Sequence, residues 1–429
     1  MAQAYVNSFI RATTVTSQTI TGLPFSPTVL MFWGSNRNDD NVFGTANLQQ
    51  FFGFAASTVG YGMCSFSRNG AGGSETNRRL NLFPVQMLTN SNAAFDYSAV
   101  LSSIGATSFT LMYSSNTSTL SVINYMAIGG SDITVLQTTT FTISSALTSV
   151  SVTGLSATAD LLIVLHLNAA GTAFLDDEAQ LSLGVANGST HQWALTNTSE
   201  EARDTGDTWS LISSTAVVVA LDTVNGSVGY SATLQSTNAT SFNLEIKDAA
   251  AGTRRVSYIA INGGVWDVST FVKVSTAAPA TNNITGLSFT ANGVFFAYNS
   301  QPSMSTSASH NNLCVGATDT SNYVASFGFD QDNATTMQCR TWNSSSYILG
   351  YGATAGITQT AKFSTVTATS FSIVWDVNSS DPNVVAYLAV GTTAATGTDV
   401  ITTEDFTMSE LFVTLKDLVS AETFTMAED

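Results

Sequence analysis

The sequence contains few charged side chains and very few basic ones. Only 10% of the 429 residues are charged, and 13 Lys and Arg stand against 30 Asp and Glu, which gives a net charge of −17. No lysine precedes Lys247. Because a phosphate-binding face needs clustered cations, this composition argues against nucleic acid and against an anionic membrane as partners. The adjacent basic pairs, Arg78-Arg79 and Arg254-Arg255, are interpreted as solvated strand ends or turns.

Cysteine is scarce too. Cys64, Cys314 and Cys339 are an odd number in a long chain, so a disulfide framework is excluded. One pairing, of Cys314 with Cys339, stays open, although buried free thiols are the favoured interpretation. The sequence also lacks a basic N-terminal segment followed by an apolar one, and it lacks any continuous apolar window of about 18 residues. We therefore expect a protein made in a cytoplasm, neither exported by a cleavable signal nor inserted into a membrane.

Groups typical of catalytic sites are missing as well. His166, His191 and His310 occupy different positions relative to the repeat described below, so no repeat unit contains a histidine pair. The sequence has no Gly-x-Ser-x-Gly nucleophile motif with a partnered histidine, and no glycine-rich phosphate loop before a helix. We therefore expect a protein that is not an enzyme and that binds no cofactor or metal.

Acidic residues occur in short groups that do not recur at equivalent positions. We interpret them as solvated loop acids. A calcium site formed by Asp330, Asp332 and Asn333 ranks well below that interpretation, and a pair of glycosidase carboxylates ranks lower still. The other acidic groups are Asp39-Asp40, Asp176-Asp177-Glu178 and Glu200-Glu201.

Three sequence markers recur in the same order along the chain. The glycines of a Thr-Gly-Leu marker, Gly22, Gly154 and Gly286, are 132 residues apart in each case. This spacing indicates one domain present in three copies, each of about 130 residues and large enough to bury its own core. The second marker, Ala-Thr-Ser-Phe, lies at 106–109, 239–242 and 368–371, and the third, Tyr-x-Ala, at 125–127, 258–260 and 387–389.

The markers divide the chain into five parts. Thr- and Ser-rich linkers, around 136–149 and 268–282, are short and tether neighbouring domains closely. In the N-terminal arm, Tyr5, Phe9 and Ile10 are the side chains expected to dock onto other subunits. The parts are an arm at 1–18, three repeats at 19–135, 136–267 and 268–400, and a C-terminal extension at 401–429.

Hydrophobic patterns predict strands throughout each repeat. Runs of five apolar residues at 29–33, 161–165 and 294–298 indicate central strands that are covered on both faces. The Ala-Thr-Ser-Phe marker leads into a strand with strict alternation, which indicates an antiparallel strand with one wet face. The sequence therefore predicts an all-β protein with three tandem antiparallel β-sandwich (jelly-roll-like) domains joined by short linkers.

One glycine recurs within a strand of small residues, as Gly53, Gly184 and Gly316. A glycine at a fixed place in a strand predicts a bulge or a close approach of another backbone. Two tryptophans, Trp209 and Trp342, are flanked by Thr, Ser and Asn. They are the candidates for an exposed platform on which a sugar ring stacks, whereas core packing is favoured for most of the other aromatic residues.

The first repeat resembles a known module. Thr21-Gly22-Leu23-x-Phe25-x-Pro27-Thr28 is followed by the apolar strand, a Gly-Phe-Ala strand, Ser-Phe-x-Leu and Tyr-Met-Ala-Ile-Gly-Gly. This succession looks like a jelly-roll module, concanavalin-like in fold, of structural proteins of tailed bacteriophages and prophage regions. The resemblance is looser in the second and third repeats, where Phe-x-Pro is replaced at 157–159 and 289–291.

The resemblance implies a non-enzymatic virion protein, such as a capsid decoration, head-fibre or tail-associated component, assembled in the host cytoplasm. Its partners would be other virion proteins and further copies of itself, contacted through free sheet edges, the N-terminal arm and the C-terminal extension. The alternative is a carbohydrate- or host-receptor-binding protein of the virion, with a host surface glycan as its partner. A polysaccharide-degrading enzyme ranks well below both.

Overall fold

The described part of the chain consists of strands, turns and loops. The computed structural model describes residues 1–393 apart from 73–74, 90–93, 118, 145–147, 168–173, 177, 223, 249–251, 300, 302–303 and 305. Every regular element within these residues is a β-strand, and all strand pairs are antiparallel. The predicted all-β class is therefore confirmed. The C-terminal extension predicted at 401–429 lies outside the described residues.

The described strands fall into three sets of eleven, which we call domains 1, 2 and 3. Domain 1 contains β1 (Gln3–Ile10), β2 (Ser17–Thr21), β3 (Val29–Ser35), β4 (Gly44–Thr45), β5 (Leu48–Ala56), β6 (Val59–Ser67), β7 (Thr76–Asn81), β8 (Val85–Leu88), β9 (Phe95–Gly105), β10 (Ser108–Asn116) and β11 (Val122–Gly129). Domain 2 contains β12 (Thr134–Ile143), β13 (Ser149–Thr153), β14 (Leu161–His166), β15 (Phe174–Asp176), β16 (Ala179–Ala186), β17 (Gln192–Ser199), β18 (Thr208–Ser213), β19 (Val218–Leu221), β20 (Val228–Asn238), β21 (Ser241–Asp248) and β22 (Arg254–Asn262). Domain 3 contains β23 (Val265–Val272), β24 (Ala280–Thr285), β25 (Phe289–Tyr298), β26 (Ala308–Ser309), β27 (Asn311–Thr318), β28 (Tyr323–Asp330), β29 (Cys339–Ser344), β30 (Leu349–Ala353), β31 (Gly356–Val366), β32 (Ser370–Val377) and β33 (Val384–Thr393).

Each domain is a sandwich of a seven-stranded and a four-stranded sheet. The strand orders in domain 1 are β1-β11-β3-β5-β6-β7-β15 and β2-β10-β9-β8. Phe32 of β3 and Phe109 of β10 meet between these two sheets, with ring centroids 5.6 Å apart in a buried cluster. The same arrangement recurs as β12-β22-β14-β16-β17-β18-β26 with β13-β21-β20-β19, and as β23-β33-β25-β27-β28-β29-β4 with β24-β32-β31-β30. The predicted β-sandwiches are therefore confirmed.

The first strand of every seven-stranded sheet comes from the segment interpreted as the arm or as a linker. Strands β1, β12 and β23 pair antiparallel with the last strand of their own domain along almost their whole length. Each contains β-branched and aromatic residues that favour strands, and tertiary pairing makes them part of the sheet. The sheets therefore begin the three domains at Gln3, Thr134 and Val265, and the tethers between domains are only a few residues long.

The three sequence markers meet one another in the folded domain. In the Thr-Gly-Leu marker, Gly22, Gly154 and Gly286 have φ of +87°, +95° and +92°, a left-handed conformation that favours glycine. The leucine N–H that follows donates to the threonine carbonyl of the Ala-Thr-Ser-Phe marker at 3.1 Å in all three domains. The phenylalanine of that marker packs edge-on against the tyrosine of the Tyr-x-Ala marker, with centroids 5.2, 5.1 and 5.3 Å apart. The repeated residues therefore form one corner of each sandwich.

The recurring strand glycines mark a close backbone approach. A Cβ added to Gly53, Gly184 or Gly316 would overlap the carbonyl oxygen of the residue just before β8, β19 or β30, the edge strand at which the chain enters the four-stranded sheet from the seven-stranded one. The strand ladders continue in register past all three glycines, so no bulge is present there. The close approach is confirmed, and it sets where the chain crosses from one sheet to the other. The approached residues are Pro84, Val217 and Ile348.

Candidate functional site

The three domains exchange strands in a closed cycle. The short strand β15 of domain 2 pairs with β7 of domain 1, and β26 of domain 3 pairs with β18 of domain 2. Strand β4 of domain 1 then completes the sheet of domain 3 by pairing with β29. Because each domain gives one strand and receives one, the arrangement is a pseudo-threefold within a single chain. Residues 1–393 accordingly form one compact unit.

A hydrophobic core shared by all three domains lies between the seven-stranded sheets. Residues of the central strands alternate between this core and the sandwich core of their own domain. Trp33 of domain 1 packs edge-on against Phe295 of domain 3 at 5.6 Å, and Phe52 meets the same ring at 5.7 Å. Trp193 of domain 2 donates its indole N–H to the carbonyl of Tyr387 in domain 3 at 2.9 Å. The prediction that the central strands are covered on both faces is confirmed.

Three equivalent residues meet at the centre of the cycle. Ser67, Ser199 and Asp330 are the last residues of β6, β17 and β28. Asp330 Oδ2 accepts hydrogen bonds from Ser67 Oγ at 2.6 Å and from Ser199 Oγ at 3.1 Å. Burial raises the pKa of Asp330, and its hydrogen bonds, including those from the two serines, partly oppose that rise. One acid therefore satisfies two hydroxyl groups from neighbouring domains in a site with no access to solvent.

The contact between domains 1 and 3 closes the cycle, because these domains are not adjacent in the chain. The outward N–H of Val6 donates to Asp319 Oδ2 at 2.9 Å. Ser345 donates to Asp40 through its N–H at 2.7 Å and its hydroxyl at 2.6 Å. The N–H of Asn41 donates to the Asn343 carbonyl at 2.8 Å. Asp319 and Asp40 thus take part in the closing contact; Asp40 is exposed, as its interpretation as a solvated acid predicts, yet it still binds domain 3.

The side chains predicted as a docking arm lie mostly within domain 1. Tyr5 and Phe9 are partly buried against the sandwich core, and their rings are 6.3 and 6.1 Å from that of Tyr125. Phe141 and Phe271 occupy the position of Phe9 in the other domains and pack on the equivalent tyrosines. Of the three predicted side chains, only Ile10, 57% exposed, offers most of its surface to another molecule.

The two candidate stacking tryptophans are placed differently from each other. Trp342 is only 2% exposed, so the expectation that it forms an exposed platform is wrong. Its side chain points into the sandwich of domain 3, where it packs on the backbone of Gly350, while its polar neighbours follow the alternation of β29. Trp209 is partly buried, and its ring lies against Gly226. No pair of tryptophan faces is therefore brought together by these two residues.

The histidines and cysteines occupy individual positions in the strands and loops. Burial, with Arg254 and Arg78 nearby, lowers the pKa of His166 to about 3, so the ring is neutral. His310 Nδ1 accepts a hydrogen bond from the N–H of Asp332 at 3.0 Å, and Asp332 Oδ1 accepts one from the N–H of Thr208. Within the described ranges, no three His, Cys, Asp or Glu side chains are grouped as a metal site would require. All three cysteines are buried free thiols, as the sequence indicated.

The structure also corrects the interpretation of the basic pair Arg78-Arg79. Arg78 is 2% exposed within β7, so its interpretation as a solvated residue is wrong. Its guanidinium donates to Gln180 Oε1 at 2.9 Å and lies 3.4 Å from a carboxylate oxygen of Glu178, both in domain 2. Adjacent basic residues in the sequence do not reveal such a partner, because the partner lies across an interface between domains.

No protein-family model matches the sequence, and no curated protein matches it. The described residues contain no helix long and apolar enough to cross a membrane.

Proposed function

We propose that the protein is a non-enzymatic structural component of a tailed-phage virion, acting as a capsid decoration, head-fibre or tail-associated protein through protein contacts. The observation that carries the proposal is the closed exchange of β15, β26 and β4 between domains. It gives one chain a pseudo-threefold organisation, which suits a position of threefold or quasi-threefold symmetry in a particle. The proposal also draws on the resemblance of the first repeat to phage modules.

The outward faces of the four-stranded sheets support a role in surface contacts. Their side chains are largely small hydroxyl and amide groups that hydrogen-bond across strands, such as Thr19 with Thr110 at 3.0 Å and Thr365 with Ser372 at 2.6 Å. In domains 2 and 3 these faces also carry the ion pairs Lys247–Glu245 and Lys362–Asp376. Short hydroxyl and amide side chains have little conformational freedom to lose, so ordering them against a partner costs little.

The alternative, a carbohydrate- or receptor-binding protein of the virion, has less support. Of the two tryptophans expected to form its stacking platform, Trp342 is buried in the core and Trp209 is partly buried. A glycan array probed with the full-length protein checks this alternative separately. Saturable binding that Trp209→Ala abolishes would replace the structural proposal with the receptor-binding one.

The proposal is tested on particles from the source of the gene. Particles purified by density gradient are analysed by quantitative mass spectrometry and reconstructed by cryo-electron microscopy. We expect the chain at a fixed copy number and its density at a threefold or quasi-threefold position of the head, or on the tail axis. Absence of the chain from purified particles would overturn the proposal.

A further inference from the structure

A buried cation in domain 1 has donors that the protein itself leaves unused. Arg11, which follows β1, is 0% exposed, and its guanidinium lies 4.5 Å from the ring centroid of Tyr97. Its Nη1 donates to Asn116 Oδ1 and to the Thr117 carbonyl. Its Nε and Nη2 are buried without a hydrogen-bond partner. Among the described residues, no carboxylate lies within ion-pair distance of Arg11.

Two further unused hydroxyls lie beside this guanidinium. Tyr97 OH and Ser121 Oγ, both on residues that are 0% exposed, are buried close to each other, and neither has a hydrogen bond to any other group of the protein. The carbonyl of Ser121 accepts the backbone N–H of Arg11 at 2.9 Å, which places the two residues side by side. Burial raises the pKa of Tyr97; the charge of Arg11 and a hydrogen bond from Ser121 act to lower it, and the charge of Asp96 acts to raise it. Arg11, Tyr97 and Ser121, which come from three chain segments, therefore all place hydrogen-bond donors in the same buried region.

The equivalent position in domain 3 also has a buried cation, and all of its hydrogen bonds are made within the protein. Lys273 stands two residues after Phe271, as Arg11 does after Phe9, and it is 1% exposed. Its ammonium donates to Asn378 Oδ1 at 2.6 Å and to the carbonyls of Ser379 and Val274 at 2.8 and 3.3 Å. All three ammonium protons thus have acceptors in the protein.

The neighbours of Lys273 are satisfied as well. Its backbone N–H donates to the Asn383 carbonyl, just as that of Arg11 donates to Ser121. Asn383 Nδ2 donates to Tyr298 OH at 2.9 Å, and the Tyr298 hydroxyl donates in turn to Gln359 Oε1. Domain 1 keeps two of these acceptors, Asn116 Oδ1 and the Thr117 carbonyl, but the guanidinium of Arg11 has more N–H groups than they accept.

We propose that domain 1 holds a buried chloride ion, or another monovalent anion of that size, between Arg11, Tyr97 and Ser121. A buried guanidinium without a counter-charge is costly, and buried donors without acceptors add to that cost. A small anion supplies the charge and accepts from all the unused donors at once, whereas a water molecule supplies no charge. Asp96, the buried acid that precedes Tyr97 on β9, acts electrostatically on the Tyr97 hydroxyl, but its carboxylate accepts from Thr117 Oγ1 and forms no ion pair with Arg11.

The test compares unfolding of the full-length protein in chloride and in gluconate, an anion too large for the site, at equal ionic strength. We expect the thermal midpoint to rise with chloride concentration, because an anion bound only to the folded state stabilises it. Once the site is saturated, the unfolding constant falls about tenfold for each tenfold rise in chloride. Arg11→Met, which keeps the packing over Tyr97, is expected to remove this dependence.

Two further variants keep the test decisive. Ser121→Ala retains the cation and removes one donor, so the chloride dependence is expected to move to higher concentration without disappearing. Lys273→Met is the matched control, because it removes a buried cation whose donors are all used; its loss of stability is expected to be independent of chloride.

Crystals of the protein purified in chloride give a direct measurement. At a long X-ray wavelength we expect an anomalous peak between Arg11, Tyr97 and Ser121, because chloride scatters anomalously there and water does not. Water alone at this place, or a midpoint that responds to chloride equally in the protein and in Arg11→Met, would overturn the proposal. The inference does not depend on the virion role, so either can fail without the other.

Discussion

The two sheets of each domain differ in what covers the side turned away from the sandwich core. The outer side of a four-stranded sheet is open: Met112 on β10 is 49% exposed between half-buried and exposed polar neighbours. The corresponding side of a seven-stranded sheet, with Trp33 in domain 1 and Phe295 in domain 3, is covered by the other two domains. A single domain would expose this second apolar face. The stability of each sandwich therefore depends on its neighbours.

The largest effect on the comparison of the two sheets is expected from removing a side chain of one domain that packs against another domain. Phe295→Ala deletes a ring that packs on Trp33 and Phe52 from domain 1. We expect the free energy of unfolding to fall by about 3–5 kcal/mol, because a large buried side chain is lost and the cavity lies between domains. Denaturant unfolding measures this loss. A loss below about 1 kcal/mol would mean that the shared core contributes little.

A smaller effect is expected where the two sheets of one domain are connected. Gly184→Ala places a Cβ against the carbonyl of Val217, which cannot move without shifting the start of β19. We expect a loss of about 1–3 kcal/mol in the free energy of unfolding, as for overpacking in a dense core. Thermal unfolding measures it. As a control, Ser151→Ala on the exposed side of β13 is expected to change stability by less than about 0.5 kcal/mol.

Asp330, at the centre of the cycle, is expected to make the stability of the protein depend on pH. Because burial raises the pKa of Asp330 above its usual value of 3.8, the folded state binds a proton that the unfolded state has already lost. Stability therefore falls as pH rises from about 3.8 through the folded-state pKa, and the loss is complete above it. Asp330→Asn removes this dependence, while its carbonyl oxygen still accepts from Ser67 and Ser199.

Unfolding of Asp330→Asn and of the unchanged protein, measured from pH 4 to pH 8, checks this expectation. The difference in free energy is expected to favour the variant increasingly as pH rises, and then to level off. A variant that is less stable by a constant amount at every pH would show that Asp330 is charged and well compensated in the folded state.

The smallest effect is expected on the open side of a four-stranded sheet. Met112→Thr exchanges an exposed apolar side chain for a β-branched one of the kind found beside it. We expect a change within about 0.5 kcal/mol, because little buried area is lost and threonine favours strands. Thermal unfolding measures it. A loss comparable to that of Phe295→Ala would mean that this face also belongs to a core.

Several parts of the fold could be predicted because they depend on local chemistry. The left-handed turn at Gly22 needs glycine, the strand glycine Gly53 must leave room for another backbone, and alternation in β10 separates core from solvent. These requirements act within one domain and therefore recur with the repeat. The same reasoning failed for Trp342, since flanking polar residues do not reveal which face of a strand the indole occupies.

The candidate site was less predictable, because it depends on residues far apart in the chain. Strands β4, β15 and β26 have two or three residues each, too few for any periodicity to appear. The serines and the acid that meet at the centre, Ser67, Ser199 and Asp330, are different residue types at equivalent positions. Comparison of the repeats can align them, but it cannot show that they touch.

The amino-acid sequence by itself determined the all-β class, the threefold repetition and the buried central strands, because these follow from periodicity, turn chemistry and spacing along the chain. The tertiary structure alone decided that β1 joins the sheet of domain 1, that the domains close into a cycle and that Arg11 is buried without an ion pair. Those outcomes depend on which free edges and apolar faces meet in space. Sequence order constrains such meetings only weakly.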